Sequence, residues 1–225
     1  MTATSATASP KGTRRRRKND PESVRADILA VATREFSEKG LSGARIDEIA
    51  EKTRASKRMI YYYFSDKETL YLHTLEAAYQ KVRLQEAELD LDHLAPLEAL
   101  CRLVRFTFCH HAKNPDFIRL VMIENIHHGR FLAQSELIQS LNAGVIDVLG
   151  NVYSRGVATG CFREGLDPRE LHWLISALSF FNVSNQHTFS RIFDWQQTAP
   201  ENQQKLEDHV TDMVLRYVRV DREAP

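Results

Sequence analysis

No stretch of this 225-residue chain approaches the about 18 to 20 uncharged apolar residues that cross a bilayer, so no membrane partner is expected. The N-terminus also lacks the apolar segment of a secretory signal, which leaves the cytosol as the expected compartment. Cysteine is scarce: Cys101, Cys109 and Cys161 form no CxxC pair, so they read as reduced thiols in a core and exclude a disulfide framework. Glycine-rich phosphate loops, dinucleotide turns and nucleophile elbows are missing. The chain is therefore not expected to be an enzyme, and no cofactor is implied. Strand signals are nearly absent. What is abundant is core material, 43% hydrophobic residues, enough for one large domain or a small one joined to a larger one.

Net charge is lacking too, with 30 Lys and Arg against 30 Asp and Glu, but the balance is uneven along the chain. Residues 1–80 hold 15 basic and 11 acidic residues, and residues 81–225 hold 15 and 19. One end can therefore attract a polyanion. Much of its charge lies in "KGTRRRRK", Lys11 to Lys18, behind the small polar run "MTATSATASP". Residues 1–18 are expected to form a disordered basic arm, either a solvated tail or a seeker of phosphates and narrow minor grooves.

Helix starts recur. Asp20-Pro21, the capping box "SDKE" at Ser65 to Glu68, Asn114-Pro115, Asp167-Pro168 with Glu170, and Thr198 with Pro200 and Glu201 all follow N-cap logic. An all-α fold is expected, with helices near residues 21–39 (ended by Gly40), 46–53, 57–63, 66–88, 95–112, 115–127, 134–159, 168–192 and 200–219. The run "LDLDHLAP" separates these into a small N-terminal unit and a larger bundle; the unit is placed at residues 19–66 and the bundle at residues 67–225.

In the first helix Ile28, Leu29, Ala32 and Phe36 recur at helical spacing, as do Ile46, Ile49 and Ala50 in the second and Ile60 and Phe64 in the third. Three short amphipathic helices sharing one core form a helix-turn-helix, in which the third helix can enter a DNA major groove. With Ile60 and Phe64 inward, Lys57, Arg58, Met59, Tyr61, Tyr62 and Tyr63 spread over the other faces. Lys57 and Arg58 can donate to guanine O6 and N7, and Met59 can pack on a thymine methyl. Tyr61 and Tyr63 are assigned to phosphates, Tyr62 to a base or sugar, and Lys67 to a phosphate at the first turn of the fourth helix. Ser56, just before the third helix, joins the set. Double-stranded DNA is the implied partner.

The segments "ILAVATREFSEKG" (28–40), "IDEIAEKTRAS" (46–56) and "IYYYFSDKETLY" (60–71) resemble the DNA-binding domain of the TetR family of bacterial transcriptional regulators. "GLSGARIDEIA" and "ENIHHGRFL" resemble a subgroup that includes regulators of pyrimidine and nicotinate breakdown. Two departures stand out. Thr53-Arg54 replaces the family's Ala-Gly turn, where a non-glycine in a left-handed conformation costs about 1 kcal/mol. Ala44 replaces the usual Thr near the second helix, leaving Arg45 to contact phosphate instead.

The resemblance implies a homodimer built from the last two long helices, for which Leu206, Val210, Met213, Val214 and Tyr217 on one and Leu171, Leu174, Ile175, Leu178 and Phe181 on the other offer apolar stripes. It also implies a small-molecule effector bound among the middle helices. Polar residues inside apolar helices point to that site: His110 with its neighbour His111, Asn125, His128, Asn182 and Asn185, walled by Phe106, Met122, Trp173 and Phe180. The two His-His pairs have no recognised ligand spacing, so no metal is expected. The function implied is a sequence-specific transcriptional regulator, a repressor released from a palindromic operator by its effector. The alternative is an effector-independent DNA-bound protein-interaction module, which needs a filled core instead of a cavity.

Overall fold

The protein is described by a computed structural model over residues 20–220, so the basic arm expected at 1–18 lies outside the described residues. Ten α-helices build the described part: α1 (Pro21–Gly43), α2 (Ile46–Lys52), α3 (Lys57–Phe64), α4 (Lys67–Ala87), α5 (Pro96–Lys113), α6 (Pro115–Ile126), α7 (Glu136–Ala158), α8 (Pro168–Ser184), α9 (Gln186–Ile192) and α10 (Pro200–Val218). Single 3₁₀ turns at Leu91–His93 and Leu132–Gln134 join α4 to α5 and α6 to α7. The all-α expectation holds. Gly40 breaks α1 near its end with φ 67°, a left-handed conformation that a residue without Cβ adopts at little strain.

Several helix starts are capped differently from the sequence reading. Asp66, not Ser65, caps α4 by accepting from the Thr69 amide at 2.7 Å, because Ser65 is itself turned to φ 58° at the end of α3. Asp20 makes no side-chain cap bond. Asn114 donates backward to the His110 carbonyl at 2.8 Å, and Ala199 rather than Thr198 precedes α10. Asp167 does cap α8, accepting from the Arg169 amide at 2.8 Å.

The one long helix expected at 168–192 is two, α8 and α9. The buried Gln197 explains the break: its Nε2 donates to the Asn182 backbone carbonyl at 2.7 Å, the acceptor that a continuous helix would have offered to the residue 186 amide. Gln203 Nε2 donates to the Asn182 Oδ1 at 3.1 Å and closes the network.

Two apolar cores result. The first joins Ile28, Ala32 and Phe36 of α1, Ile46 and Ile49 of α2, and Ile60 and Phe64 of α3 to Leu70, Tyr71 and Leu75 of α4. It continues into Leu120 of α6, Phe131 and Ile138. The helix-turn-helix core thus crosses the boundary expected at residue 67, and the first half of α4 belongs to it. The second core packs α5, α7, α8 and α10 through Leu100, Leu103, Val104, Leu149, Leu171, Ile175, Val210 and Val214. Burying each such side chain contributes about 1.5–3 kcal/mol. The three cysteines, expected in a core, are unpaired and only half-buried.

A charged group sits where the two units meet. Glu124 of α6, 1% exposed, accepts from the Tyr71 hydroxyl at 3.0 Å and from the Phe131 and Leu132 amides at 3.1 Å each. Three donors satisfy the buried carboxylate and join α4 to the turn after α6.

In the second unit, α7 passes so close to Phe162 that a Cβ built on Gly156 would lie 1.9 Å from the Phe162 ring. Gly156→Ala is expected to lower stability by about 1–3 kcal/mol through overpacking, read as a lower midpoint in thermal melts; an unchanged midpoint would show that the ring has room to move.

Candidate nucleic-acid interface and ligand cavity

The helix-turn-helix is fixed before its surface is made. Glu35 of α1, almost fully buried, is bonded by Lys39 of its own helix and Lys52 of α2, and these two ammonium groups hold its carboxyl below the usual range. The turn between α2 and α3 needs no glycine. Thr53 is extended (φ −106°), neither it nor Arg54 has positive φ, and the Thr53 hydroxyl accepts from the Ala55 amide at 3.2 Å. The left-handed strain expected there is therefore absent. The Arg54 amide instead donates to Asp27 of α1 at 3.1 Å and ties the turn down.

On that base α3 presents its outer face. Ile60 and Phe64 are buried as expected, and Ser56 caps the helix by accepting from the Met59 amide at 3.3 Å. Tyr62 is the most exposed tyrosine of the run, at 81%, and Tyr61 follows at 42%. Tyr63 is half-buried against the core and stacks edge-on against Tyr62, with ring centroids 5.3 Å apart. Met59 is also partly packed on the core, which leaves it less free than its neighbours. Arg45 and Arg58 are exposed. Lys57 pairs with Asp47 of α2 at 2.8 Å, both side chains about half exposed, a solvent-screened pair that a phosphate or base can displace. Lys67 differs from expectation in one respect: its Nζ donates to the Ala44 carbonyl at 3.1 Å, and Asp66 already occupies the amide end of α4.

The larger unit holds a cavity of about 180 Å³ between α4, α5, α6, α7 and α8. Of the residues expected there, Phe106, His110, His111 and Phe180 line it. Trp173, Asn182, Asn185, Asn125, His128 and Met122 do not. Trp173 points outward at 67% exposure, because α8 turns its Leu171 and Ile175 face to the core. Asn182 is spent on the Gln197 and Gln203 amides, and Asn185 ends α8, donating to the Ser184 hydroxyl at 2.8 Å. Asn125 is exposed and donates to the Val121 carbonyl, His128 sits in the exposed turn after α6 with φ 57°, and Met122 lies beside the lining residue Val121 without lining the cavity.

Sequence reasoning missed the α4 contribution: Tyr79, Val82, Arg83 and Glu86 all face the cavity. Their spacing of three, four and seven was the available signal, since it puts Arg83 on the apolar face of α4. Arg83 bonds Glu86, and its Nη2 donates to Asn142 of α7 at 3.0 Å. The His110 ring, 6% exposed, has no hydrogen-bond partner on either nitrogen among the described residues, and the same holds for His111 Nδ1 and Arg83 Nε. Burial above all pushes His110 and His111 down to about 4, with nearby Lys81 and Arg83 adding for the first and His110 and Arg83 for the second. No group of three or more His, Cys, Asp or Glu among the described residues could hold a metal, and no described helix is long and apolar enough to cross a membrane.

An exposed recognition-type helix on a helix-turn-helix, joined through one long helix to a bundle with a polar-lined cavity, defines the class of DNA-binding regulators that sense small molecules. Comparison narrows it. Residues 28–74 match the family model "Bacterial regulatory proteins, tetR family", and residues 96–214 match "Tetracyclin repressor-like, C-terminal domain". The chain is 31% identical over 203 residues to the HTH-type transcriptional repressor NicS of Pseudomonas putida, covering 90% of this chain and 96% of that one. It is also 31% identical over 150 residues to the transcriptional regulator RutR of Escherichia coli, covering 67% and 69%. The fold matches a transcriptional regulator of Streptomyces coelicolor, SCO4942 (TM-score 0.63, 26% identity, 84% and 97% covered), and AibR, solved with isovaleryl coenzyme A and operator DNA (TM-score 0.63, 18% identity, 84% and 96% covered). The chain belongs to the TetR family of transcriptional regulators.

The buried imidazoles set a pH dependence. Their folded values, about 4, lie below the ordinary 6.5, so the unfolded chain binds more protons in between and stability falls as pH drops through that window. The melting midpoint of the unliganded protein should fall across it, and His110→Gln should flatten that slope. Identical slopes in circular-dichroism melts of the two proteins would exclude His110 as a source.

Proposed function

We propose that this protein is a repressor that binds a palindromic operator as a homodimer and leaves it when a small molecule occupies the cavity. The observation that carries the reading is α3, held on buried Ile60 and Phe64 with Arg58, Tyr61 and Tyr62 turned to solvent. Arg58 and Lys57 read base edges, Lys57 after release from Asp47. Tyr62 reaches a base or sugar. Tyr61, Tyr63, Arg45 and Lys67 position the duplex through phosphates, while Ser56 and Met59 serve mainly to start and seat the helix.

The outer faces of α8 and α10 support the pairing, since Trp173, Phe181, Met213 and Tyr217 are exposed there while Leu171, Ile175, Val210 and Val214 fill the protomer's own core. The stripes read from the sequence thus divide between two partners. Two recognition helices about 34 Å apart meet successive major grooves. An effector acts only through its different affinity for the DNA-competent and DNA-incompetent spacings. The path between them is α4, whose first half is built into the DNA-binding core and whose second half lines the cavity. An open cavity favours this reading over an effector-free interaction module. As a member of a regulator family whose chemistry is binding, the chain is assigned no reaction.

Selection of bound fragments from random DNA should return a palindrome. On it, Arg58→Ala should relax base preference at one position by about 1–3 kcal/mol. Lys67→Ala should weaken all sequences alike and lower the salt slope by about 1. Equal losses on operator and random DNA for Arg58→Ala would remove it from base reading. Introducing charge on the outer face with Phe181→Glu should yield monomers in sedimentation velocity and abolish palindrome binding; an intact dimer would place the interface elsewhere.

A further inference from the structure

The cavity's size and its unfilled hydrogen bonds restrict what can enter. At about 180 Å³ it is slightly larger than the roughly 150 Å³ space that accommodates benzene in an engineered protein core. It has room for one six-membered ring and a small substituent. Phe106, Phe117, Phe180 and Tyr79 surround that space, and aromatic walls favour a planar ring in stacked or edge-on contact. The polar atoms gather in the same place. Neither nitrogen of His110, nor His111 Nδ1, nor Arg83 Nε has a partner, and each buried polar group left so costs about 1–3 kcal/mol.

We propose that this cavity binds a monocyclic aromatic acid, one planar ring bearing one carboxylate, with the carboxylate on Arg83 Nε and the His110 and His111 imidazoles. The inference rests on reading the cavity as the effector site. A carboxylate suits the donors because Arg83 Nη1 and Nη2 each already donate to Glu86 and Asn142, whereas Nε–H has no partner and can meet an acceptor oxygen. Charge balance adds a second requirement. Arg83 and Glu86, 16% and 10% exposed, neutralise each other, so a buried carboxylate brings one uncompensated charge. The imidazoles are neutral in the empty cavity and can take up a proton to offset it. The charges around them are Lys81, Arg83 and Glu86 on α4, Lys113 on α5 and His172 on α8, with Arg34 and Asp116 across the adjoining groove. Cations predominate there, which is why an anion is needed before an imidazolium is tolerated.

Isothermal titration calorimetry of the full chain with benzoate, pyridine monocarboxylates and benzamide tests this. A ring carboxylate should bind at least tenfold tighter than benzamide, take up protons (a binding heat that varies with the buffer's ionisation heat), and tighten as pH falls below neutrality. Benzamide binding as well as benzoate, or binding without proton uptake, overturns the proposal, as does failure of every ring acid to bind. Arg83→Met combined with Glu86→Gln keeps the cavity neutral and should erase the preference for the carboxylate. Should that variant not fold, His110→Gln should reduce the proton uptake, and unchanged uptake in both His110→Gln and His111→Gln overturns the assignment. Operator affinity of the unliganded protein, measured by fluorescence anisotropy on the selected palindrome, separates the two readings: loss of sequence preference sinks the repressor and leaves the cavity chemistry standing, whereas intact DNA binding without ring-acid binding does the reverse.

Discussion

The carboxylate of Glu124 is the constraint on which the two halves depend. A buried anion is tolerable only when its lone pairs are filled, and here the Tyr71 hydroxyl and two successive backbone amides fill them. Tyr71 belongs to the helix-turn-helix core, where its ring meets Phe36 and Phe131 edge-on at 5.1 Å each. Burial and the adjacent Glu124 raise its phenol well above the ordinary range, so it stays a donor. Removing Glu124 would leave the Tyr71 hydroxyl and both amides without this acceptor. The turn after α6 and the start of α4 are consequently held as one piece.

That joint explains why α4 can serve two purposes. Its 21 residues span about 31 Å at 1.5 Å per residue, from the DNA-binding core to the cavity wall. One continuous helix is thus packed into the first core through Tyr71 and Leu75 and lines the cavity through Arg83 and Glu86, so the two sites share an element. The polar residues of the cavity thus lie on the helix that supports the recognition helix, rather than on a loop that could relax independently.

Periodicity made the helix-turn-helix readable. Ile28, Phe36, Ile49, Ile60 and Phe64 lie on the inward faces of their helices, and they fill the core as read. Residues whose role depends on distant chain were not readable. Gln197 breaks α8 from α9 by taking a carbonyl fifteen residues away, and no local pattern announces that. The ligand site was legible in part: Phe106, His110, His111 and Phe180 stood out as polar or aromatic residues within α5 and α8, whereas charge alone did not set Arg83 apart from the other charged residues of α4. Trp173 misled for the opposite reason, since a large aromatic suggests a wall until the helix's other face is seen to be the buried one. In the Thr53-Arg54 turn, arginine fills the position that usually holds glycine because its φ is not positive, and the neighbouring Thr53 hydroxyl accepts from the Ala55 amide.

The contact of α7 with Phe162 ties the choices open to this pair of positions together. A ring 1.9 Å from where a methyl would stand means that a side chain gained at Gly156 must displace the phenylalanine. Trading the aromatic for something smaller would relieve that clash but leave a void in the second core. The size tolerated at one site therefore sets the size tolerated at the other.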